Sequence, residues 1–123
     1  MSGYEDQLQQ ACILWWHNYG AVQSSSLRGL TLEQGRKRLH CNNNNSVNRV
    51  AGNRAKAMGV QPGVADLEFM MAGGLICFIE LKRPGGTQSK EQKVFELMCD
   101  FMGYEYHLVF TLEQFKTIIN GRL

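Results

Sequence analysis

Apolar side chains recur at helical spacing near the start of the chain. Leu8, Cys12, Trp15 and Tyr19 form one stripe, widened by Ala11 and Trp16, and predict a helix over residues 4–19 that Gly20 stops. Residues 21–35 show no clear period. Residues 36–41, RKRLHC, predict a short strand, and the asparagine run 42–45 predicts a loop, because asparagine tolerates left-handed backbone and competes for its hydrogen bonds. A second helix is predicted over residues 47–58, with Gly59 as its cap. Turn chemistry follows in residues 59–63, GVQPG. Residues 66–71 then predict a strand, Gly73-Gly74 a turn, and residues 75–82 a second strand that Pro84-Gly85-Gly86 ends. Ser89 with Gln92 has capping-box spacing, which opens a helix whose buried stripe is expected to be Val94, Leu97, Met98 and Phe101, closed by Gly103. Residues 104–110 predict a strand. Thr111 with Gln114 repeats the capping box before a last helix with Leu112, Phe115, Ile118 and Ile119 on its apolar side.

The order helix, weak strand, helix, hairpin, helix, strand, helix implies an α/β fold, a mixed sheet flanked by helices on both faces. The strand 104–110 returns after a helix and is expected to lie parallel to 75–82. No internal repeat or linker divides residues 1–123, so one domain is expected.

Strand 75–82, LICFIELK, begins as a buried central strand and ends in Glu80 and Lys82, two residues apart and so on one face. A simple ion pair at a strand end would explain that pattern by itself. Asp66 on the partner strand adds to it, depending on the hairpin register. A two-residue turn at Gly73-Gly74 would pair Asp66 with Leu81, on the opposite face from Glu80. A three-residue loop over 72–74 would pair Met71 with Leu75 and Asp66 with Glu80. The second register also puts Leu67, Phe69 and Met71 on one face with Leu75, Cys77, Ile79 and Leu81. Two adjacent carboxylates repel unless they are protonated or bridged by a cation. Oxygen donors suit a hard ion such as Mg²⁺ or Mn²⁺.

Gly63-Val64-Ala65-Asp66, then Phe78-Ile79-Glu80-Leu81-Lys82-Arg83-Pro84, then Ser89-x-x-Gln92 resemble the virus-type replication-repair nuclease (VRR-NUC) domain, a branch of the PD-(D/E)XK nuclease superfamily. The resemblance implies a restriction-endonuclease-like fold. It also implies that Asp66 and Glu80 are carboxylate ligands of a catalytic metal, that the Leu81 carbonyl is a third ligand, and that Lys82 orients the attacking water or stabilises the phosphate. Gln92 would support the site, although the capping box explains it equally well. Glu5 matches a helical glutamate that completes the metal shell, although a first-turn acid is also favoured by the helix dipole. Ala65 stands where the family has proline before the aspartate. The asparagine tract departs from the family's tighter loop, and none of its residues is given a role.

Charge adds a candidate partner. The net charge of +2 is uneven: residues 28–65 hold seven bases against Glu33 alone, while the segments on either side are each acidic by two. Arg36, Lys37, Arg38, Arg49, Arg54 and Lys56, with Arg83 beside the motif, are candidate DNA phosphate contacts. A solvated basic face is the plainer reading of the same charges. Cys12, Cys41, Cys77 and Cys99 include no C-x-x-C pair, so a zinc site is poorly supported and reduced, packed thiols are expected. No apolar run is long enough to cross a membrane, and the N-terminal residues lack the basic start of a signal peptide, so a cytoplasmic protein is expected. His40 and His107 read as strand-surface residues.

These readings converge on metal-dependent phosphodiester hydrolysis in DNA, with 5′-phosphate and 3′-hydroxyl products implied by the resemblance. A domain this small has little surface for reading bases, so DNA shape, such as a branch or four-way junction, is the expected target. Two alternatives remain open: a non-cutting DNA-binding module on a nuclease fold, and a sequence-specific restriction-type endonuclease. A homodimer is expected, because a symmetric junction needs two cuts, and because Trp15, Trp16 and Tyr19 offer more aromatic surface than one stripe requires.

Overall fold

The structure, a computed structural model, describes residues 3–20, 37–42, 53–54, 56–59 and 61–122. Helix α1 spans Tyr4–Trp15 and runs into a π-helical turn, Trp16–Gly20. Strand β1 is Lys37–Cys41, β2 is Leu67–Met71 and β3 is Leu75–Leu81. Helix α2 is Lys90–Met102, β4 is Glu105–Val109 and α3 is Leu112–Asn120. Within the predicted second helix, Asn53, Arg54, Lys56 and Ala57 are helical, and Gly59 follows with φ +96°. Met58 is in a turn, and residues 47–52 and 55 of that prediction, with residues 21–36 and 43–46, lie outside the described residues.

The four strands form one mixed sheet in the order β1-β2-β3-β4, antiparallel except for the parallel pair β3–β4. The fold class is the expected one. Met71 pairs with Leu75 and Leu67 with Ile79, which is the register of a three-residue loop. On one face Leu67, Phe69, Cys77, Ile79, Leu81 and Val109 meet Leu8, Cys12 and Trp16 of the first helical segment and Phe115 and Ile119 of α3. On the other face Phe78 meets Phe95 and Cys99 of α2. β3 is interior to the sheet and covered on both faces, which is why its sequence is almost continuously apolar.

Both capping boxes form. Ser89 Oγ accepts from Gln92 N–H and Thr111 Oγ1 from Gln114 N–H, each at 3.1 Å. Gly103 ends α2 in the left-handed conformation. All four cysteines are free thiols, and Cys12, Cys77 and Cys99 are buried.

Three expectations are corrected. Trp16 is buried edge-on against Phe69 and Trp15 packs edge-on against Phe115, so both rings serve this chain's own core. Tyr19 is 63% exposed. The π-helical turn admits an extra residue, which rotates Tyr19 out of the α1 stripe. In α2 the inward residues are Phe95 and Cys99, whereas Val94, Leu97, Met98 and Phe101 are all exposed.

Candidate active site

The hairpin register carries Asp66, one residue before β2, to the C-terminal end of β3. There its Oδ2 accepts a hydrogen bond from the Leu81 backbone N–H at 2.8 Å. Glu80 projects from the same end of β3 and is 2% exposed, the one buried charged residue among those described. Its Oε2 accepts from Gln92 Nε2 at 3.1 Å. Its Oε1 is buried with no hydrogen-bond partner. The capping box sets Gln92: Oε1 accepts from Ser89 N–H at 2.8 Å, which leaves the amide nitrogen free to reach Glu80. One side chain therefore both caps α2 and holds the site carboxylate.

A cavity of about 270 Å³ opens over this pair. Glu5, Asp6, Asp66 and Glu80 line it with Gln9, Gln92 and the segment Pro62, Gly63 and Val64. Glu5 comes from the first turn of α1, where its Oε2 accepts from the Arg83 backbone N–H at 3.2 Å. The α1 helix thus meets the chain just past the end of β3. Burial pushes both the Asp66 and Glu80 carboxyls above the usual carboxylate range, and the charge of Glu5 adds to this for each. Their mutual repulsion raises Glu80 further, and the two side chains are near enough to share a proton. Lys82 acts in the opposite direction on both. Among the described residues no ion pair within 4.0 Å joins Lys82 to an acid, so the strand-end ion pair is not what is built here.

This donor set fits a divalent cation. Carboxylates are costly to bury side by side, and a buried carboxylate oxygen without a donor is costlier still. A hard cation would satisfy both with oxygen ligands alone. Another group of ligand-type side chains lies on the opposite face of the sheet, where Cys77, Glu105 and His107 place donor atoms within 4.8 Å of one another. That group is already charge-matched. His107 Nε2 lies 2.9 Å from Glu105 Oε2, and Arg122 also donates to it. Burial opposes the Glu105 charge, but these two partners outweigh it and hold the carboxyl below its usual range. Burial pushes the Cys77 thiol up to about 12.

The basic candidates are dispersed. Arg36 and Arg49 lie outside the described residues. Lys37 pairs with Met71 and Arg38 with Met70, at the hairpin end of the sheet and far from Asp66. Strand alternation turns Lys37 and Arg38 to opposite faces of this edge strand. Arg54, Lys56 and Arg83 are exposed, and Arg83 follows Lys82 directly.

Sequence reasoning missed Asn42. Its N–H donates to the Asp66 carbonyl at 2.8 Å, and its Nδ2 donates to the Ala65 carbonyl at 3.1 Å and to Glu68 Oε1 at 2.9 Å. Asn42 thus fixes the backbone that carries Asp66. The only signal was its position directly after a strand that pairs with β2.

Two solved structures have this fold. One, described as a VRR_NUC domain protein, superposes with a TM-score of 0.67 at 20% identity, over 100% of this chain and 90% of its own. Another, described as a VRR_NUC domain, gives 0.60 at 15% identity, over 99% of this chain and 100% of its own. No family model and no curated protein matches the chain. The fold of this chain is that of VRR-NUC domains.

Proposed function

We propose that the chain is a metal-dependent endonuclease that hydrolyses phosphodiester bonds in DNA and favours branched substrates such as four-way junctions. One observation carries this reading: the close pair of half-buried Asp66 and buried Glu80, with a Glu80 oxygen that receives no hydrogen bond, in a cavity lined by four acids. Such a cavity repels a phosphodiester unless a cation sits in it. Asp66, Glu80 and the Leu81 carbonyl would hold Mg²⁺ or Mn²⁺, with Glu5 as a further carboxylate. Bound there, the ion would neutralise charge on the phosphate and make water a better nucleophile.

The chain's own residues do the rest. The Leu81 N–H fixes Asp66, and Gln92 fixes Glu80, so neither carboxylate has to reorganise when substrate arrives. Lys82 supplies positive charge toward the phosphate from the same strand face as Glu80. Arg83 continues that charge onto the exposed surface, and Arg38, Arg54 and Lys56 offer further phosphate contacts. Symmetric cutting of a junction needs two sites, and a twofold homodimer supplies them.

The test is cleavage of single-stranded, duplex, flap, splayed and four-way DNA with Mg²⁺, with Mn²⁺ and with EDTA. Metal-dependent cutting that is fastest on branched substrates is expected. Binding with no product under any metal would leave a DNA-binding module. Cutting of linear duplex at one sequence would make it a restriction-type enzyme.

A further inference from the structure

The two faces of β3 carry donor sets of different chemistry. Asp66 and Glu80 offer oxygen alone. Cys77 lies three residues before Glu80, about 10 Å back along the strand and on the other face. The parallel register sets Cys77 against Glu105 and Ile79 against His107, so strand alternation brings Cys77, Glu105 and His107 to one side of the sheet. Their thiol sulfur, carboxylate oxygen and ring nitrogen all lie within 4.8 Å of one another. Cys77 is fully buried, whereas the side chains of Glu105 and His107 are 46% and 33% exposed. The cluster therefore has a closed floor at Cys77 and a side open to solvent, through which an ion can enter.

Sulfur, nitrogen and oxygen in one cluster select the ion. Thiolate and imidazole favour Zn²⁺ over the Mg²⁺ or Mn²⁺ that suit the carboxylate pair. Zinc bonds of about 2.0–2.3 Å set the corners of a tetrahedron roughly 3.3–3.7 Å apart. The separations here, 2.9 Å between His107 and Glu105 and none above 4.8 Å, bracket that edge, so small side-chain rotations close the shell. Three protein ligands leave the fourth corner to water on the open side. Arg122, just past α3, donates to Glu105 Oε2. It would keep that oxygen while Oε1 binds the ion, the kind of contact that orients a ligating carboxylate. Without metal, the neutral thiol leaves Glu105 matched by His107 and Arg122 alone. Zinc replaces the thiol proton, which goes to solvent, and its two charges then meet one thiolate and one carboxylate.

We propose that Cys77, Glu105 and His107 form a zinc site that fastens β3 to the start of β4, on the opposite face of the sheet from the carboxylate pair. The site is separate from the Asp66–Glu80 cavity in place and in the ion it selects. It stands or falls apart from any cutting activity. Sequence spacing hid it, because its ligands come from two strands and converge only through the parallel register.

Co²⁺ is the probe, because its spectrum reports both geometry and sulfur. Added to the reduced chain, it should give the visible bands of a tetrahedral ion and a near-ultraviolet thiolate-to-cobalt band. One equivalent of Zn²⁺ should then bleach the thiolate band. Cys77→Ser should remove that band. His107→Ala, a change at a partly exposed position, should weaken Co²⁺ binding by more than the roughly tenfold that losing a hydrogen-bond partner of a ligand costs. Cys41→Ser alters the exposed thiol and should keep the band. Asp66→Asn should keep both the band and a rise in Tm with Zn²⁺. A cobalt spectrum with no thiolate band would overturn the proposal. So would a band lost with Cys41→Ser, or one indifferent to His107→Ala.

Discussion

Gln92 donates its side-chain amide to Glu80 at 3.1 Å while the same side chain closes the capping box on Ser89. The end of β3 and the start of α2 are therefore tied through one residue. The two jobs can be separated. Gln92→Glu keeps a carboxyl oxygen for the Ser89 N–H, as capping boxes allow, but presents a third carboxylate to Glu80. It should leave helix content intact and reduce cutting by on the order of 10²-fold, the scale of losing one preorganised contact. Gln92→Ala should lose about 1 kcal/mol of stability with the cap. If Gln92→Glu cuts at the unmodified rate, the glutamine is only a cap.

The Asp66–Glu80 pair makes stability depend on pH in a defined direction. Burial raises both carboxyls in the folded chain, and the charge of Asp66 raises Glu80 further. Between the ordinary carboxylate range and about 9, where Glu80 ionises, the folded state therefore holds more protons than the unfolded state. In EDTA, the contribution of this pair is full below pH 4 and is lost as pH rises toward 9. Thermal denaturation in EDTA should show that decline. Mn²⁺ should raise the Tm more at pH 8 than at pH 5. Asp66→Asn and Glu80→Gln should each abolish cutting, flatten the pH dependence and remove most of the Mn²⁺ effect on Tm. A Tm in EDTA that rises with pH would contradict the assignment.

Lys82 lies close enough to stabilise the charged forms of both carboxyls, yet it forms no ion pair with them. Its substitution by alanine should lower cutting on the order of 10²-fold or more. Binding should largely survive, measured by gel shift in Ca²⁺. Arg83→Ala should instead weaken binding and lower the salt slope by about 1, the change expected for one lost phosphate contact. Lys37→Ala should do little, because its side chain leaves the edge strand on the opposite face from Arg38. Equal losses from Lys37→Ala and Arg83→Ala would mean that DNA crosses the edge strand instead.

The reach of sequence reasoning differs between the hairpin and α2 for physical reasons. The Asp66–Glu80 register was legible because only a three-residue loop sorts Leu67, Phe69, Cys77 and Ile79 to one face, and a slip of one residue would turn all of them over. Helix α2 was misread because Val94, Leu97, Met98 and Phe101 have as good a period as Phe95 and Cys99. The tie-breaker is tertiary: Gln92 must reach Glu80, and that rotation takes Phe95 and Cys99 inward. The π-helical turn after Trp15 and the clamp by Asn42 likewise depend on neighbours distant in sequence. The basic segment looked like one patch because a count of charges ignores strand alternation, which separates Lys37 from Arg38.

Gly63 shows how the loop before Asp66 is tied to α2. Its φ is +86°, and a Cβ built there would lie 2.4 Å from the Glu91 carbonyl oxygen and 2.5 Å from its carbon. Glu91 immediately precedes Gln92, so the glycine lets the loop carrying Asp66 lie directly against the first turn of the helix that holds Glu80. Alanine at this position meets two costs: about 1–2 kcal/mol for left-handed backbone, and a backbone clash that no side-chain rotation relieves. Gly73 has nearly the same φ, +87°, with nothing within 4 Å of a built Cβ. Gly73→Ala therefore measures the conformational cost alone. Urea denaturation should show Gly63→Ala losing roughly 3–4 kcal/mol and Gly73→Ala about 1–2, the difference being the lost contact. Gly63→Ala should also cut poorly in the fraction that stays folded, because the clash displaces Gln92 from Glu80 and Asp66 from the Leu81 N–H. Gly73→Ala should cut normally. Equal destabilisation by the two substitutions would show that only the positive φ matters at Gly63, and that the close approach to Glu91 contributes nothing to the site.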